Sequence, residues 1–457
     1  MNHFVPPYPP RPRQPLGPLA ILRTARRNLL AVFEEKSFEY QFFGVRVLNR
    51  MLFICNSPDT VAQAFIALHD SFERKTPQIR NALSPLIGAD ASFISDGPIW
   101  RQRRRIVAPI VHLSRLPLYA PTMVEVAHET AERWAGLPDG APVDALREMA
   151  TLTAEIICRA VFGPRLGAEH ATTIVASFTE YQRVIGQIDV AYFLGLPDWM
   201  PRFNRPAVYR TARRIHEVLD RIIRQCEEAR ATGETSMIRL LLDARDPDTG
   251  EALDRTAVRN EAAVMFLAGH EGTANSLAWT WYLLSQAPEA EARLHAELDE
   301  VLGGRLPTLD DVPRLVFTRA VFEEAMRLYP SVPFLGRQAL RDEKIRNRDI
   351  PRGSLLVVIP WLLHRHKQLW DKPDHFIPER FLPENAASRQ RYTYIPFSLG
   401  PRVCTGAAFG QTEAILCIAT LAQRMQLRLA PGTFVEPICR LTLRPGNTLP
   451  MLVSSRS

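Results

Sequence analysis

The run Phe397-Ser398-Leu399-Gly400-Pro401-Arg402-Val403-Cys404-Thr405-Gly406 delivers a lone cysteine to the mouth of a helix that begins near Gly406. Unpaired N–H groups and the dipole at a helix start stabilise a thiolate. Gly400 and Gly406 allow the backbone to approach a flat ligand closely. Arg402, two residues before the cysteine, is placed to meet an acidic group on that ligand. An arbitrary lone cysteine is more often a buried small hydrophobe. The aromatic, the two glycines, the arginine and the cysteine falling together point to a ligand-bearing sulfur instead.

A second stretch, Phe266-Leu267-Ala268-Gly269-His270-Glu271-Gly272-Thr273, lies inside an apolar helical pattern. Each glycine in a helix interior costs about 1 kcal/mol relative to alanine. The pair therefore predicts a local bulge that opens room for a ligand over the helix. Glu271 offers a carboxylate for moving protons. His270-Glu271 starts like a zinc-binding His-Glu-x-x-His helix, but position 274 is alanine and that reading fails. His364 and His366 have no further ligand nearby in sequence, which favours a structural role. Glu324 and Arg327 stand one helical turn apart and can pair on one face.

A thiolate held by a helix start suits a haem iron that has to cleave an O–O bond, because sulfur pushes electron density onto the metal. The cysteine loop resembles the haem-binding signature Phe-x-x-Gly-x-Arg-x-Cys-x-Gly of the cytochrome P450 family, matching every fixed position from Phe397 through Cys404 to Gly406. The resemblance extends from Trp100 to the C-terminus. Glu324-Ala325-Met326-Arg327 is similar to the family's Glu-x-x-Arg motif, and Pro378-Glu379-Arg380-Phe381 to the loop whose arginine joins it. This implies a structural Glu324–Arg327–Arg380 network. The segment from Trp100 to Arg104 is similar to the family's Trp-x-x-x-Arg helix, implying that Trp100 and Arg104 contact a haem propionate. Arg337 falls where the family often supplies another such contact. Arg104, Arg337 and Arg402 would then answer two carboxylates, with Phe397 and Gly406 bordering the cofactor, haem b.

The glycine-containing helix is similar to the family's Ala-Gly-x-Glu-Thr-Thr stretch, with one departure. Gly272 stands where the family has the threonine that hydrogen-bonds bound dioxygen. Thr273 comes one residue late, and a helix turns roughly 100° per residue, so its hydroxyl need not reach the same point. Glu271 and Thr273 are the candidate catalytic residues. Proton delivery is expected through ordered water or a substrate hydroxyl, with Glu271 behind it.

The elements that must position these groups are mostly helical. The chain has 457 residues, 46% hydrophobic and 23% charged, enough for a large core and far from a disordered composition. Apolar residues at helical spacing mark 119–136, 143–162, 206–230 and 254–287, with Asp254 as N-cap and Pro288 as stop. Phe38 to Cys55 reads as a hairpin broken at Gly44, and Ser354 to Ile359 as a strand. A last helix runs from Gly406 to Met425, before a β-rich tail. The expected fold class is mainly α with a minor β portion, a cytochrome P450 fold. A Pro-rich leader would occupy residues 1–18, and one large haem-binding domain residues 19–457.

Six scattered cysteines with no C-x-x-C pair argue against a disulfide framework or zinc knuckle and suit a reducing cytoplasm. No signal peptide and no apolar window of about 18 residues is found, so no membrane anchor is expected and the chain looks like a soluble, bacterial-type member. The net charge of +7 comes without a nucleic-acid motif, and nucleic acid is not an expected partner.

The resemblance implies insertion of one atom of dioxygen into an apolar small molecule. The pocket would form from about 74–98, 174–200, 263–273 and 331–335. Its wall would draw on Leu83, Leu86, Ile87, Phe93, Phe178, Ile185 and Phe193, with Phe266, Ala268, Gly269, Val332 and Phe334 as the lining over the iron. No nicotinamide- or flavin-binding motif is present. Two electrons are expected from a separate acidic ferredoxin- or flavodoxin-type donor, docking near Arg101, Arg103 and Arg105. Gly272 keeps open a haem-thiolate peroxygenase or isomerase that needs no donor. The retained Glu271 speaks against a haem sensor or carrier.

Overall fold

A computed structural model describes residues 3–185, 190–196, 204–228, 236–439 and 442–456. The expected pocket segments 186–189 and 197–200, and the end of the expected 206–230 helix, lie outside the described residues. Helical spacings become the helices Leu116–Ala135, Ala145–Phe162, Pro206–Glu228 and Arg255–Ser285. The last, the long helix, is capped by Asp254, whose side chain accepts the Ala257 N–H at 2.7 Å. Its C-terminal half buries Trp279, Trp281, Leu283 and Leu284, as expected of a helix enclosed by protein. Ala145–Phe162, Val316–Leu328 and the cysteine helix Ala407–Ala422 pack against it.

The long helix runs unbroken as α-helix through both glycines, so the expected bulge is absent. Gly269 has a different cause. A Cβ there would meet Ile157 Cδ1 at 2.7 Å, so glycine lets Ala145–Phe162 approach closely.

A five-stranded sheet has the order Phe42–Val47, Arg50–Cys55, Leu355–Val358, Leu335–Gln338, Arg74–Lys75. The expected hairpin forms, but it turns after Val47, where Leu48 takes φ 53°. Gly44 sits mid-strand opposite Phe53, so the chain does not break there. A second sheet joins Ala141–Asp144, Pro450–Ser455 and Met425–Leu429.

The Pro-rich leader lies extended along the body. Proline has no N–H to donate, so the leader is held through its carbonyls: Phe4 O accepts from Phe376 at 2.9 Å and Pro7 O from the Tyr329 hydroxyl at 2.6 Å. Arg11 adds an ion pair with Asp374 at 2.6 Å.

Beneath this strap lies a closed charge network. Arg327 Nε and Nη2 donate to the two oxygens of Glu324 at 2.6 and 2.7 Å. Its remaining N–H groups reach the carbonyls of His364, Pro373 and His375 at 2.8, 2.7 and 2.9 Å. Glu324 Oε1 also accepts the Ile377 N–H at 2.8 Å and faces Arg380 Nε at 3.5 Å. His364 Nε2 accepts the Ile395 N–H at 2.9 Å, and burial holds its pKa well below the usual range. His366 Nδ1 accepts the Gln368 N–H at 3.2 Å. Each of the two histidines thus holds a backbone N–H of a neighbouring loop.

Candidate active site

The cysteine loop is closed by hydrogen bonds from Cys404 N–H to Phe397 O at 2.9 Å and from Val403 N–H to Gly400 O at 3.0 Å. Gly400 takes φ 69°, and a Cβ on it would sit 2.2 Å from Phe65 O. Its glycine therefore serves contact between two backbones rather than approach to a flat ligand, which corrects the sequence expectation. At Gly406, which opens the cysteine helix, an added Cβ would meet nothing within 4 Å.

The Cys404 sulfur touches open space, yet burial is the largest cause pushing its thiol pKa up. The space it faces is therefore walled by protein. The Gly406 N–H, Arg104 and Lys75 pull the pKa back toward the thiolate. Cys158 and Cys417 are packed as small hydrophobes, with burial raising their thiols.

Four cations gather at this space. Arg337 is 3% exposed, and its guanidinium hydrogen-bonds the neighbouring Gly336 carbonyl at 3.1 Å. Burial and the nearby Arg402 push it down to about 9. Arg402 lies over the Trp100 ring at 4.1 Å and donates Nη2 to Ser95 O at 2.6 Å. Its Nε and Nη1 are buried with no partner. Lys75 pairs in register with Arg337 on the adjacent strand, and burial, Arg337 and Arg402 hold its pKa well below the lysine range. Arg104 is half-buried, lowered by burial and drawn up by Cys404. Among the described residues none of the four has an ion pair. Glu73 and Asp96 draw the Arg402 pKa up from a distance, but their direct pairs lie elsewhere: Asp96 with Arg74, and Glu73 with Arg101 and the Gly97 N–H. Buried charge without a counter-charge is costly. The arrangement fits a ligand that brings two acidic groups beside the cysteine. Arg104, Arg337 and Arg402 are thus brought together, and Lys75 joins them from outside every motif.

On the other wall, Ala268 is exposed and an added Cβ at Gly272 would meet nothing within 4 Å. These positions are four apart and share a helix face. Val332 is exposed and Phe334 half-buried. Phe266 is not part of the lining: it is fully buried, with ring centroids 4.4 Å from Phe178 and 4.7 Å from His270. Gly269 faces Ile157 and is no lining residue either. Leu83, Leu86, Ile87, Phe178 and Ile185 belong to the packed core. Phe93 is exposed and stands 5.0 Å from Lys75 Nζ, and Phe193 is half-buried against Tyr192.

Glu271 is a junction. Its oxygens accept from Gln182 Nε2 and from the Thr442 hydroxyl, each at 2.6 Å, and Arg444 stands 3.9 Å away. It so ties the helix Pro164–Val184 and the tail hairpin of Ile438–Cys439 and Leu443–Arg444 to the long helix. The Thr273 hydroxyl instead faces the cysteine helix, 3.5 Å from where a Cβ on Gly410 would lie and toward Glu413. The expected arginine patch shrinks. Arg101 pairs with Asp70 and Glu73, Arg105 pairs with Asp246 at 2.9 Å, and of the three only Arg103 lacks an ion pair among the described residues.

Lys75 and Glu413 escaped the sequence reading. A lone lysine in a two-residue strand carries no signal. Glu413 did carry one, as an acid directly before the apolar stretch Ala414-Ile415-Leu416-Cys417-Ile418.

The sequence profile of the family described as Cytochrome P450 matches residues 6–450. Cyclooctatin synthase of Streptomyces melanosporofaciens is 34% identical over 374 residues, 80% of this chain and 79% of that protein. Cyclooctat-9-en-7-ol 5-monooxygenase of the same organism is 31% identical over 377 residues, 81% of this chain and 79% of that protein. The crystal structure of the cytochrome P450DA haem domain is similar at a TM-score of 0.80 and 26% identity, covering 99% of this chain and 98% of that one. Among the described residues no helix is long and apolar enough to cross a membrane.

Proposed function

Because this chain belongs to the cytochrome P450 family, we propose that it oxygenates a cyclic terpenoid-type substrate, with Cys404 as the iron ligand. It is an oxidoreductase, a haem monooxygenase, and its cofactor is haem b. When bound, haem supplies the activation of dioxygen, for which a thiolate ligand is suited.

The observation that carries the reading is the set of four cations beside Cys404, none of which has an ion pair among the described residues. Lys75, Arg104, Arg337 and Arg402 would hold the two propionates, and Trp100 supports Arg402 from beneath. The Arg402 Nε and Nη1 groups gain the partners they lack. The Gly406 N–H, Arg104 and Lys75 favour the thiolate form of Cys404.

Ala268, Gly272, Val332 and Phe334 would orient the substrate and exclude water. An apolar face of this kind suits a hydrocarbon skeleton more than a charged one. The activity in the name of one relative, oxygenation of cyclooctat-9-en-7-ol, supports a cyclic alcohol or olefin of similar size. Electrons would come from a separate ferredoxin- or flavodoxin-type donor, with Arg103 as the charge left free to meet it. Six scattered cysteines with no C-x-x-C pair suit a cytoplasmic setting. The open space at Gly272 favours one second reading, a peroxygenase, which would form product from peroxide alone.

The test is the carbon-monoxide difference spectrum of the reduced protein, on wild type and Cys404→Ser, followed by titration with cyclooctat-9-en-7-ol. A thiolate-type Soret band lost in the variant, and a spin-state shift on titration, are expected. A band unaffected by the substitution would overturn the ligand assignment. Absence of any shift with cyclic olefins and alcohols would overturn the substrate class.

A further inference from the structure

The single helical turn His69–Ser71 precedes the strand Arg74–Lys75 and adjoins the helix Gly97–Val107. His69, Asp70 and Glu73 each bring one ligand-type atom into a cluster whose members lie within 4.8 Å of one another. Among the described residues, no other group of three or more His, Cys, Asp or Glu side chains converges in this way. Acidic clusters on a surface are common, but this one has a buried floor. Glu73 is 6% exposed, and its Oε1 accepts the Gly97 N–H at 2.8 Å. Its Oε2 is buried, makes no hydrogen bond, and faces His69 Nε2 at 3.9 Å. That nitrogen is buried and without a hydrogen bond as well. A separation of 3.9 Å is too long for the two to satisfy each other, and unmet buried polar atoms call for a reason.

One cation already leans on the cluster. Arg101 Nη2 stands 3.4 Å from Asp70 Oδ1 and 3.6 Å from Glu73 Oε2. Its side chain and that of Asp70 are largely exposed, at 47% and 73%. Ion pairs this long and this exposed contribute little, so Arg101 is easily displaced. An imidazole nitrogen with two carboxylate oxygens is a borderline donor set that suits zinc, bound by three protein ligands and water. Bonds of about 2.0–2.2 Å require the ligand atoms to draw together, which the exposed Asp70 side chain allows. The Gly97 N–H fixes the orientation of Glu73 from the outer shell. Two carboxylates match the double charge of the ion.

We propose that His69, Asp70 and Glu73 form a site for one divalent transition-metal ion of the zinc type, and that Arg101 is the cation the metal displaces. His69 adjoins the Trp100 ring at 5.7 Å, and Arg402 lies over that ring at 4.1 Å. The haem carboxylates answer the Arg402 charge, so the holoprotein is the form that takes the ion. In that respect the inference rests on the haem assignment above. Metal uptake also turns the Arg101 guanidinium out to solvent, on the helix that carries Arg103.

The experiment titrates zinc chloride into the untagged holoprotein and its His69→Ala, Asp70→Asn, Glu73→Gln and Arg101→Ala variants by calorimetry. The carbon-monoxide band of each sample is recorded first, so that a failure of the haem assignment is seen before metal is added. Wild type should take up one zinc ion. Affinity should fall at least about tenfold in His69→Ala, Asp70→Asn and Glu73→Gln, and rise about threefold or more in Arg101→Ala. X-ray absorption at the zinc edge should show one imidazole in a shell otherwise made of oxygen. No uptake by wild type at about 100 μM zinc overturns the proposal. So does a shell containing sulfur, or an affinity unchanged in Asp70→Asn, an exposed substitution that tests the site even where His69→Ala or Glu73→Gln fails to fold. Weaker binding in Arg101→Ala overturns the displaced-cation role.

Discussion

Arg327 and Arg402 are both buried guanidinium groups, 0% and 7% exposed, and their surroundings are opposites. Arg327 meets a carboxylate at both oxygens and three carbonyls besides. Arg402 has one carbonyl, an aromatic ring beneath it and two N–H positions with nothing to donate to. Arg337, Lys75 and Arg104 crowd the same space. A complete network holds a fold together. A set of buried cations with the anion left out marks the place of a ligand that supplies it. The two regions teach that burial alone does not separate structure from function, whereas the count of partners does.

Breaking the complete network should have the largest effect. Arg327→Leu removes the two-point partner of Glu324, leaving it only the more distant Arg380 as counter-charge, and should cost about 3–5 kcal/mol. Thermal unfolding should show apo and haem-loaded protein destabilised alike. Arg402→Met and Arg337→Met should behave in the opposite way. The apo protein should unfold no earlier than wild type, because an uncompensated charge has been removed, while haem affinity falls by at least about tenfold, the equivalent of 1.4 kcal/mol. An apo form weakened as much as in Arg327→Leu would erase the distinction.

His364 sharpens the network side through pH. Its folded-state pKa is depressed by burial and by Arg327, so below about pH 6.5 the unfolded chain takes up a proton that the folded chain refuses. Its contribution is therefore full above that pH and is lost as pH falls, at about 1.4 kcal/mol per pH unit. Denaturant unfolding from pH 7.5 to 5 should show a shallower loss in His364→Gln.

Two glycines of the long helix repeat the contrast on a smaller scale. Gly269→Ala drives a methyl into Ile157 and should cost about 1–3 kcal/mol. Gly272→Ala points into open space and should stabilise by up to about 1 kcal/mol through helix propensity, while narrowing the cleft. Thermal shifts of opposite sign are the expected result.

What the sequence made legible follows the same division. The cysteine loop was readable because its spacing is local, and the Glu324–Arg327–Arg380 network, Arg104 and Arg337 because short stretches around them resemble the family's motifs. The long helix and its cap were readable because period and capping residues agree. Lys75 was not, because it reaches the site only through its register against Arg337. The two helix glycines suggested one bulge, but one serves helix packing and the other an open space, and only tertiary contacts tell these apart. Phe266 shared the helix with the cleft residues yet turned to Phe178. Arg101 and Arg105 looked free because their acidic partners lie elsewhere in the sequence.

The most direct test of the central claim compares binding of haem b with binding of its dimethyl ester, in which both carboxylates are blocked, to the apo protein. Four cations waiting for two carboxylates predict that wild type prefers the free acid by at least about a hundredfold, some 2.7 kcal/mol. That preference should shrink stepwise in Arg337→Met, Arg402→Met and the double variant. Equal affinity for acid and ester in wild type would contradict the account.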